Sequence, residues 1–356
     1  MKLRTIIALS GGVDSAVAAL LLKRAGHELE ALHMSNWDDA DGYCSAAADW
    51  QAAASVAAEL GIVLHRVSFA AEYRERVFAR FLADYAAGRT PNPDVLCNRE
   101  VKFGVCLNYA RRLGAERLAT GHYARLGREH GRVRLLRARD RAKDQSYFLQ
   151  QVPAEALAAA EFPLGELEKH EVRELARGAG LPVHDRPDST GICFIGERPF
   201  REFLGQFLQA TPGPIETPEG VRLGSHAGLM FHTIGQRQGL GLGGRAGYPD
   251  APWYVAAKDL ERNALIVVQG REHPRLAAAS FTTESPAWLA PGQPPALSCA
   301  VQVRHRQREV PCSLEWHGGG ARVVPASPLH GVAPGQYAAF YADEECLGGA
   351  LIRAAA

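Results

Sequence analysis

The stretch Leu9-Ser10-Gly11-Gly12-Val13-Asp14-Ser15-Ala16 constrains the fold of this chain more than any other. Before it, Arg4 to Ala8 has the length and β-branching of a buried strand. After it, Val17 to Arg24 is apolar and helix-favouring, and Gly26 is a stop signal. The stretch between is a tight strand-to-helix turn. Its glycines let the backbone approach a ligand, and N–H groups at the helix N-terminus attract anions. Ser10 and Ser15 add hydroxyl donors. Asp14 suits such a turn as a Mg²⁺ ligand or as a brace. A Gly-Gly turn merely capped by Asp or Ser is the plainer reading.

The following residues repeat the strand–helix pattern. Residues 28–34 read as a strand, 46–60 as a helix ended by Gly61, and 62–69 as a third strand. Residues 71–86 place Tyr73, Val77, Phe78, Phe81 and Leu82 on one helical face. This alternation predicts a parallel sheet covered on both faces, with ligands beyond the strand C-termini. Met34 ends the second strand at the level of the glycine turn, as a core residue or as an adenine neighbour.

Residues 88–98, Gly-Arg-Thr-Pro-Asn-Pro-Asp-Val-Leu-Cys-Asn, differ in kind. Pro91 and Pro93 favour a rigid extended turn, with helix resuming near Glu100. That puts Cys97 near a helix start, where a thiol pKa falls, and Asp94 within reach of moving a proton. A buried cysteine and a capping Asp are the plainer alternative, and for Cys106 they suffice. Arg117 to Thr120 is a short strand leading into Gly121-His122. From Arg125 to Lys143 eight Arg or Lys face two acids, Glu129 and Asp140. This hairpin-like run reads either as a solvated face or as a phosphate-backbone track.

Residues 168–180 form a further helix, followed by Asp188-Ser189-Thr190-Gly191-Ile192-Cys193. Taken alone, Cys193 is most simply a core thiol. Thr211-Pro212-Gly213-Pro214 marks a linker, and helical periodicity largely stops beyond it. Gly239, Gly241 and Gly244 match G-x-G-x-x-G, but no helix can follow through Pro252, so no dinucleotide site is expected. Residues 253–269 resemble two strands. After a Pro-rich break at 286–295, short alternating runs suggest a small barrel, with a second basic cluster at Arg304-His305-Arg306-Gln307-Arg308.

With 356 residues and a net charge of +1, two or three domains are expected, and any basic surface must be local. Seven dispersed cysteines without Cys-x-x-Cys suit a reducing cytoplasm and give no structural zinc motif. The first strand begins almost at Met1, so no signal peptide is expected, and no apolar run approaches a membrane span.

Several motifs now agree. SGGVDS at 10–15 resembles the PP-loop of N-type ATP pyrophosphatases, which cut ATP between the α- and β-phosphates. Together with PNPDVLCN at 91–98, GHYA at 121–124, KDQSYFL at 143–149, STGICFIG at 189–196, TIGQRQGLG at 233–241, PGQ at 334–336 and CLGG at 346–349, it resembles the bacterial tRNA-specific 2-thiouridylase family nearly end to end. The resemblance implies an α/β fold. An N-terminal parallel-sheet PP-loop ATP pyrophosphatase domain (adenine nucleotide alpha hydrolase-like) is expected over 1–208. A small, mostly β middle domain is expected over 209–275 and a C-terminal β-barrel contacting tRNA over 276–356. It implies that Ala8, Leu9, Ser10, Gly11, Gly12, Val13, Asp14 and Ser15 bind ATP with Mg²⁺, joined by Met34 and Gly121. Cys97 is implied as nucleophile, Cys193 as persulfide carrier and Asp94 as proton-transfer group. Asn92, Pro93 and Asp94 are implied to meet the target base. Lys143, Asp144, Gln145, Arg304 and His305 are implied to contact tRNA, with His122 and Gln336 at the RNA interface. Ala16 and His305 depart from the family's usual Ser and Tyr.

The implied reaction is 2-thiolation of the wobble uridine, U34, of tRNAs of Lys, Glu and Gln type. Adenylation of O2 makes a leaving group, and sulfur arrives from a persulfide supplied by a relay protein. The implied location is cytoplasmic, with no membrane partner. Three alternatives stay open. One is a PP-loop enzyme adenylating a small molecule, which leaves Cys97, Cys193 and the basic hairpin without a role. Another is a non-enzymatic RNA-binding protein with a degenerate nucleotide loop. The third is an iron–sulfur cluster held by Cys97, Cys193 and Asp94.

Overall fold

Adjacent isoleucines show how the first sheet is built: Ile6 and Ile7 are both fully buried, on opposite faces. A strand with no exposed face needs helices on both sides, as a parallel sheet provides. The computed structural model describes residues 3–37, 46–188, 199–244, 247–290 and 297–356. In it, β1 (Arg4–Ala8), α1 (Val13–Arg24), β2 (Glu28–Ser35), α2 (Ala46–Leu60) and β3 (Leu64–Ser68) alternate along the chain. A helical stretch over 70–86 and another over 93–112 follow, then β4 (Arg117–Ala119). β5 (Arg125–Glu129) and β6 (Arg132–Leu136) form a hairpin, and β7 (Ala160–Glu161) completes the parallel sheet in the order β3-β2-β1-β4-β7. The strand order reverses between β1 and β4, which places the crevice for a ligand beyond the end of β1. Ile7 packs with α1, α2 and the helix Lys169–Gly178 on one face. Ile6 and Leu32 pack with Tyr73, Val77, Phe78 and Phe81 on the other.

The helix carrying Cys97 starts earlier than the prolines suggest. Pro93 is its first residue, where a missing N–H costs nothing, so helix begins at Pro93 rather than near Glu100. From Cys97 to Cys106 it is π-helical, a wide form found frequently at functional sites.

The middle sheet contains β8 (Gly213–Glu216), β9 (Arg222–His226), β10 (Trp253–Asp259) and β11 (Ala264–Gln269), ordered β10-β11-β8-β9. β12 (Ala277–Ala278) begins the C-terminal part. It is followed by β13 (Phe281–Thr283), β14 (Ala287–Trp288), β15 (Leu297–Gln302), β16 (Val310–His317) and β17 (Gly320–Pro325). β18 (Leu329–His330), which pairs with β12, β19 (Tyr337–Ala342) and β20 (Glu345–Ala355) complete it. The path β13-β17-β16-β15-β19-β20 returns to β13, closing a barrel around Phe281, Val301, Val323 and Phe340. The hairpin β5–β6 belongs in sequence to the first domain, yet β6 pairs with β20 of the barrel, Leu135 opposite Cys346. No helix among the described residues is long and apolar enough to cross a membrane.

At the middle sheet, His226 of β9 and His232 beyond it are buried with ring centroids 6.0 Å apart. Neither ring nitrogen of His232 has a hydrogen-bond partner among the described residues. Burial, helped by His226, Arg201 and Lys258, pulls His232 down to about 4. The folded protein therefore binds fewer protons than the unfolded chain between about pH 4 and 6.5, and stability falls as pH drops through that window. His232→Phe should abolish about 2 kcal/mol of the wild-type stability difference between pH 7 and pH 5. Urea unfolding at the two pH values measures it, and an equal loss in the variant refutes the assignment.

Candidate active site

The turn after β1 is closed by its own serines. Ser15 Oγ donates to the Gly12 carbonyl (3.1 Å) and accepts from Ser10 N–H (3.2 Å), and the Ser10 and Ser15 hydroxyls lie 3.1 Å apart. Gly11 has φ +86°, and a Cβ there would stand 2.4 Å from the Asp49 carbonyl of α2. At Gly121 a Cβ would meet the backbone of Asp14 and Ser15 within 3.0 Å, so the loop after β4 lies flush against the start of α1. The turn and Gly121 are thus brought together at the switch point. Met34, partly buried, packs against the Ile6 side of the sheet.

Asp14 does not stand open. Its Oδ1 accepts from Tyr123 Oη–H (2.8 Å) and Lys169 Nζ (2.7 Å). Lys169 also pairs with Asp188 (2.7 Å), which pairs in turn with Lys143 (2.7 Å) and Arg173 (2.9 Å). Arg186 donates to the Gly11 carbonyl (2.8 Å) and pairs with Asp49. Lys169, Arg173, Arg186 and Tyr123 are site neighbours that sequence reasoning missed. Only Tyr123, inside the quoted GHYA, carried a local signal.

A second cluster forms around residues 88–98. Lys258 of β10 donates to the Gly88 carbonyl (2.9 Å), and Thr90 Oγ1 reaches Thr233 Oγ1 (3.3 Å), both in the middle part. From the barrel side, the Pro334 carbonyl accepts from Thr90 N–H (2.9 Å). Gln336 Nε2 donates to the Thr90 (2.8 Å) and Pro91 (3.2 Å) carbonyls. Gln336 therefore clasps the proline turn with its amide N–H group rather than offering it to solvent. Asn92 precedes the helix, Pro93 is buried, and Asp94 retains some surface. Burial pushes the Asp94 carboxyl above the ordinary carboxylate range against the pull of Lys102 and His305. Cys97 is buried in the cluster against which Met34 and Trp37 pack. Cys106, also buried, has its thiol pushed up to about 12 by burial, a core residue as expected. Cys193 lies outside the described residues, so its distance to Cys97 is not part of this geometry.

Several residues expected on RNA are held by partners within the protein in this structure. His122 is buried between Phe103 and Phe162, with Nδ1 2.7 Å from Thr120 Oγ1, and burial holds its pKa far below normal. It is a neutral packed imidazole rather than a surface contact. The Asp144 carboxylate accepts from Ala138 N–H (2.9 Å), Ser146 Oγ (2.8 Å) and Arg137 Nη1 (3.3 Å). Gln145 accepts from Tyr123 N–H (2.9 Å) and donates its own N–H to the Tyr123 carbonyl (2.8 Å). Arg304 donates to the Ile234 carbonyl (2.6 Å), tying barrel to middle part. His305 Nε2–H donates to the Asp144 carbonyl (3.0 Å), with its ring 4.5 Å from Phe148. Arg137, Arg141, Gln302 and residues 305–309 line a cleft of 310 Å³ in which Arg306 and Arg308 are exposed.

The basic hairpin is largely neutralised inside the protein. Arg132 and Arg134 both pair with Glu345, Arg125 and Arg141 with Glu344. A continuous phosphate track along 125–143 is therefore not what these arginines form. Among the described residues no cluster of three or more His, Cys, Asp or Glu could hold a metal ion. Glu345→Ala leaves Arg132 without its carboxylate, while Arg134 keeps Glu129, and should cost about 1 kcal/mol. Denaturant unfolding measures this, and a change below 0.5 kcal/mol would show the pairing to be incidental.

Family comparisons agree with this layout. A tRNA methyl transferase HUP domain matches residues 3–197, a tRNA methyl transferase PRC-barrel domain 201–269 and an aminomethyltransferase beta-barrel domain 278–352. The tRNA-specific 2-thiouridylase MnmA of Chromohalobacter salexigens is 54% identical over 355 residues, covering 98% of this chain and 92% of that protein. The proteins of the same name from Marinobacter nauticus and Alkalilimnicola ehrlichii are 53% and 52% identical, covering 98% of this chain and 91% and 97% of theirs. Domain descriptions that speak of methyl transfer thus coincide with full-length relatives named as thiouridylases, and the full-length match decides the family. This chain belongs to the tRNA-specific 2-thiouridylase family.

Proposed function

We propose that this enzyme uses ATP to replace the 2-oxygen of U34 in tRNA by sulfur, releasing AMP and diphosphate. The observation that carries this reading beyond family membership is the meeting of all three parts of the chain on residues 88–94. Catalysis on one base of a large RNA needs a reaction loop held rigidly against the surfaces that grip the RNA. In this reading the domains are 1–208, 209–275 and 276–356. Phe203 and Phe207 still pack on Phe78 of the first domain, and the Pro-rich linker follows.

In this mechanism the turn at Ala8 to Ser15 holds the ATP phosphates, with Met34 and Gly121 beside the nucleotide. Asp14 would be the carboxylate that holds Mg²⁺, which would draw negative charge from the ATP phosphates. Uridine O2 bonds to the α-phosphorus, the bond to the bridging oxygen breaks, and its electron pair leaves with diphosphate. Asp94, with its raised pKa, exchanges the N3 proton. Sulfur reaches Cys193 as a persulfide from a relay protein and passes to C2 as AMP leaves. Cys97 attacks the persulfide's inner sulfur, freeing the outer one and leaving a Cys97–Cys193 disulfide for a cellular thiol to reduce. Asn92 and Pro93 meet the base. Lys143, Arg304 and His305 stand near the RNA, together with Arg306 and Arg308 of the cleft. The tRNAs are of Lys, Glu and Gln type, and the setting is the cytoplasm.

Mass spectrometry of U34 after incubation with ATP, tRNA and a persulfide donor tests the reading. Wild type should form 2-thiouridine, and Cys97→Ser and Cys193→Ser should each lose it. Thiolation at the wild-type rate by Cys193→Ser would exclude the two-thiol route. Arg306→Ala with Arg308→Ala should lower the log–log salt slope of tRNA binding by about 0.7 to 0.9 per lost phosphate contact. An unchanged slope removes this cleft from the RNA path.

A further inference from the structure

We propose that Lys169 is a further catalytic residue, the cation that takes up the charge of the departing diphosphate. The proposal rests on the ATP reading above. Lys169 Nζ lies 2.7 Å from Asp14 Oδ1 and 2.7 Å from Asp188 Oδ1, with its side chain 13% exposed. Asp14 is inside the glycine turn, so the ammonium stands at the start of α1, where phosphate oxygens would gather. The residue's backbone is fixed. Its N–H donates to Asp140 Oδ2 (3.0 Å), and Glu168 and Glu171 close a capping box around it. Only the flexible four-carbon stem is left to move, which suits a point charge that follows a leaving group.

Neither carboxylate loses its last hydrogen bond when Lys169 moves. Asp14 keeps Tyr123 as a partner, and Asp188 keeps Lys143 and Arg173. Both carboxylates are about a third exposed, so when Lys169 moves, water and these partners take its place. Burial works to raise the Asp188 carboxyl, but the Lys143 and Lys169 ammonium groups outweigh it and hold it at about 2. Three cations thus share Asp188, Lys169 and Arg173 on Oδ1 and Lys143 on Oδ2, so Asp188 stays paired when Lys169 moves. In the adenylation step, the α-phosphorus gains a bond to uridine O2 and loses its bond to the bridging oxygen, whose electron pair leaves on diphosphate. Lys169 moves toward that developing charge and transfers no proton.

Calorimetric titration of the full-length protein with ATP, inorganic diphosphate and AMP separates the possibilities. Lys169→Met should weaken ATP and diphosphate binding at least tenfold and leave AMP within twofold. Lys169→Arg should recover most of the diphosphate affinity. Asp188→Asn, which releases Lys169 without removing a cation, should tighten ATP binding several-fold, and it decides the matter if Lys169→Met does not fold. Unchanged ATP affinity in a folded Lys169→Met overturns the proposal, as does an AMP loss equal to that for ATP, or weaker ATP binding in Asp188→Asn. A wild-type protein that binds no ATP removes the underlying reading, and the proposal with it.

Discussion

Asp144 carries the constraint on which the relation between the domains depends. A buried carboxylate is tolerated only when its lone pairs are matched, and here donors come from Ala138, Ser146 and the Arg137 guanidinium. That guanidinium lies 3.6 Å over the Tyr341 ring of the barrel, and Tyr341 Oη is 3.2 Å from Ser146 Oγ. The Asp144 carbonyl then receives His305. One acid of the first domain is thus tied on several sides to the last. Through Gln145 and Tyr123 the same bonded path reaches Asp14 in the glycine turn. Nucleotide turn and barrel are linked by a short chain of directional contacts rather than by apolar packing alone.

The same logic explains why charge is a poor guide to the RNA surface here. Eight basic residues between Arg125 and Lys143 look like a binding track in sequence. In three dimensions Glu344 and Glu345, two hundred residues away, answer four of them, and Asp188 answers Lys143. The cationic surface left over is smaller and includes the barrel loop at Arg306 and Arg308.

What was legible in the sequence was local. The β1 turn, the alternation through residue 86 and the barrel's short strands follow from periodicity and glycine placement, and the structure has them. The helix over Cys97 was misplaced because Pro93 reads as a breaker, whereas at a helix's first position it is at home. His122, Asp144 and Gln336 were recognised as special, but their roles as packed or clasping groups depend on partners distant in sequence. Lys169 and Arg186 were invisible for the same reason: nothing near them marks a lysine destined for Asp14 or an arginine destined for Gly11.

The pairing of β6 with β20 also has a temporal meaning. Arg132 waits for a carboxylate 213 residues further along the chain. During synthesis at roughly 5–20 residues per second, that delay is about 10 to 40 seconds. Throughout it the hairpin exposes an unpaired strand edge and arginines, Arg132 among them, that lack their carboxylates, to whatever polyanion is nearby, the ribosome's own RNA included. The parallel sheet can form early, but the joint between the two ends of the protein is made last.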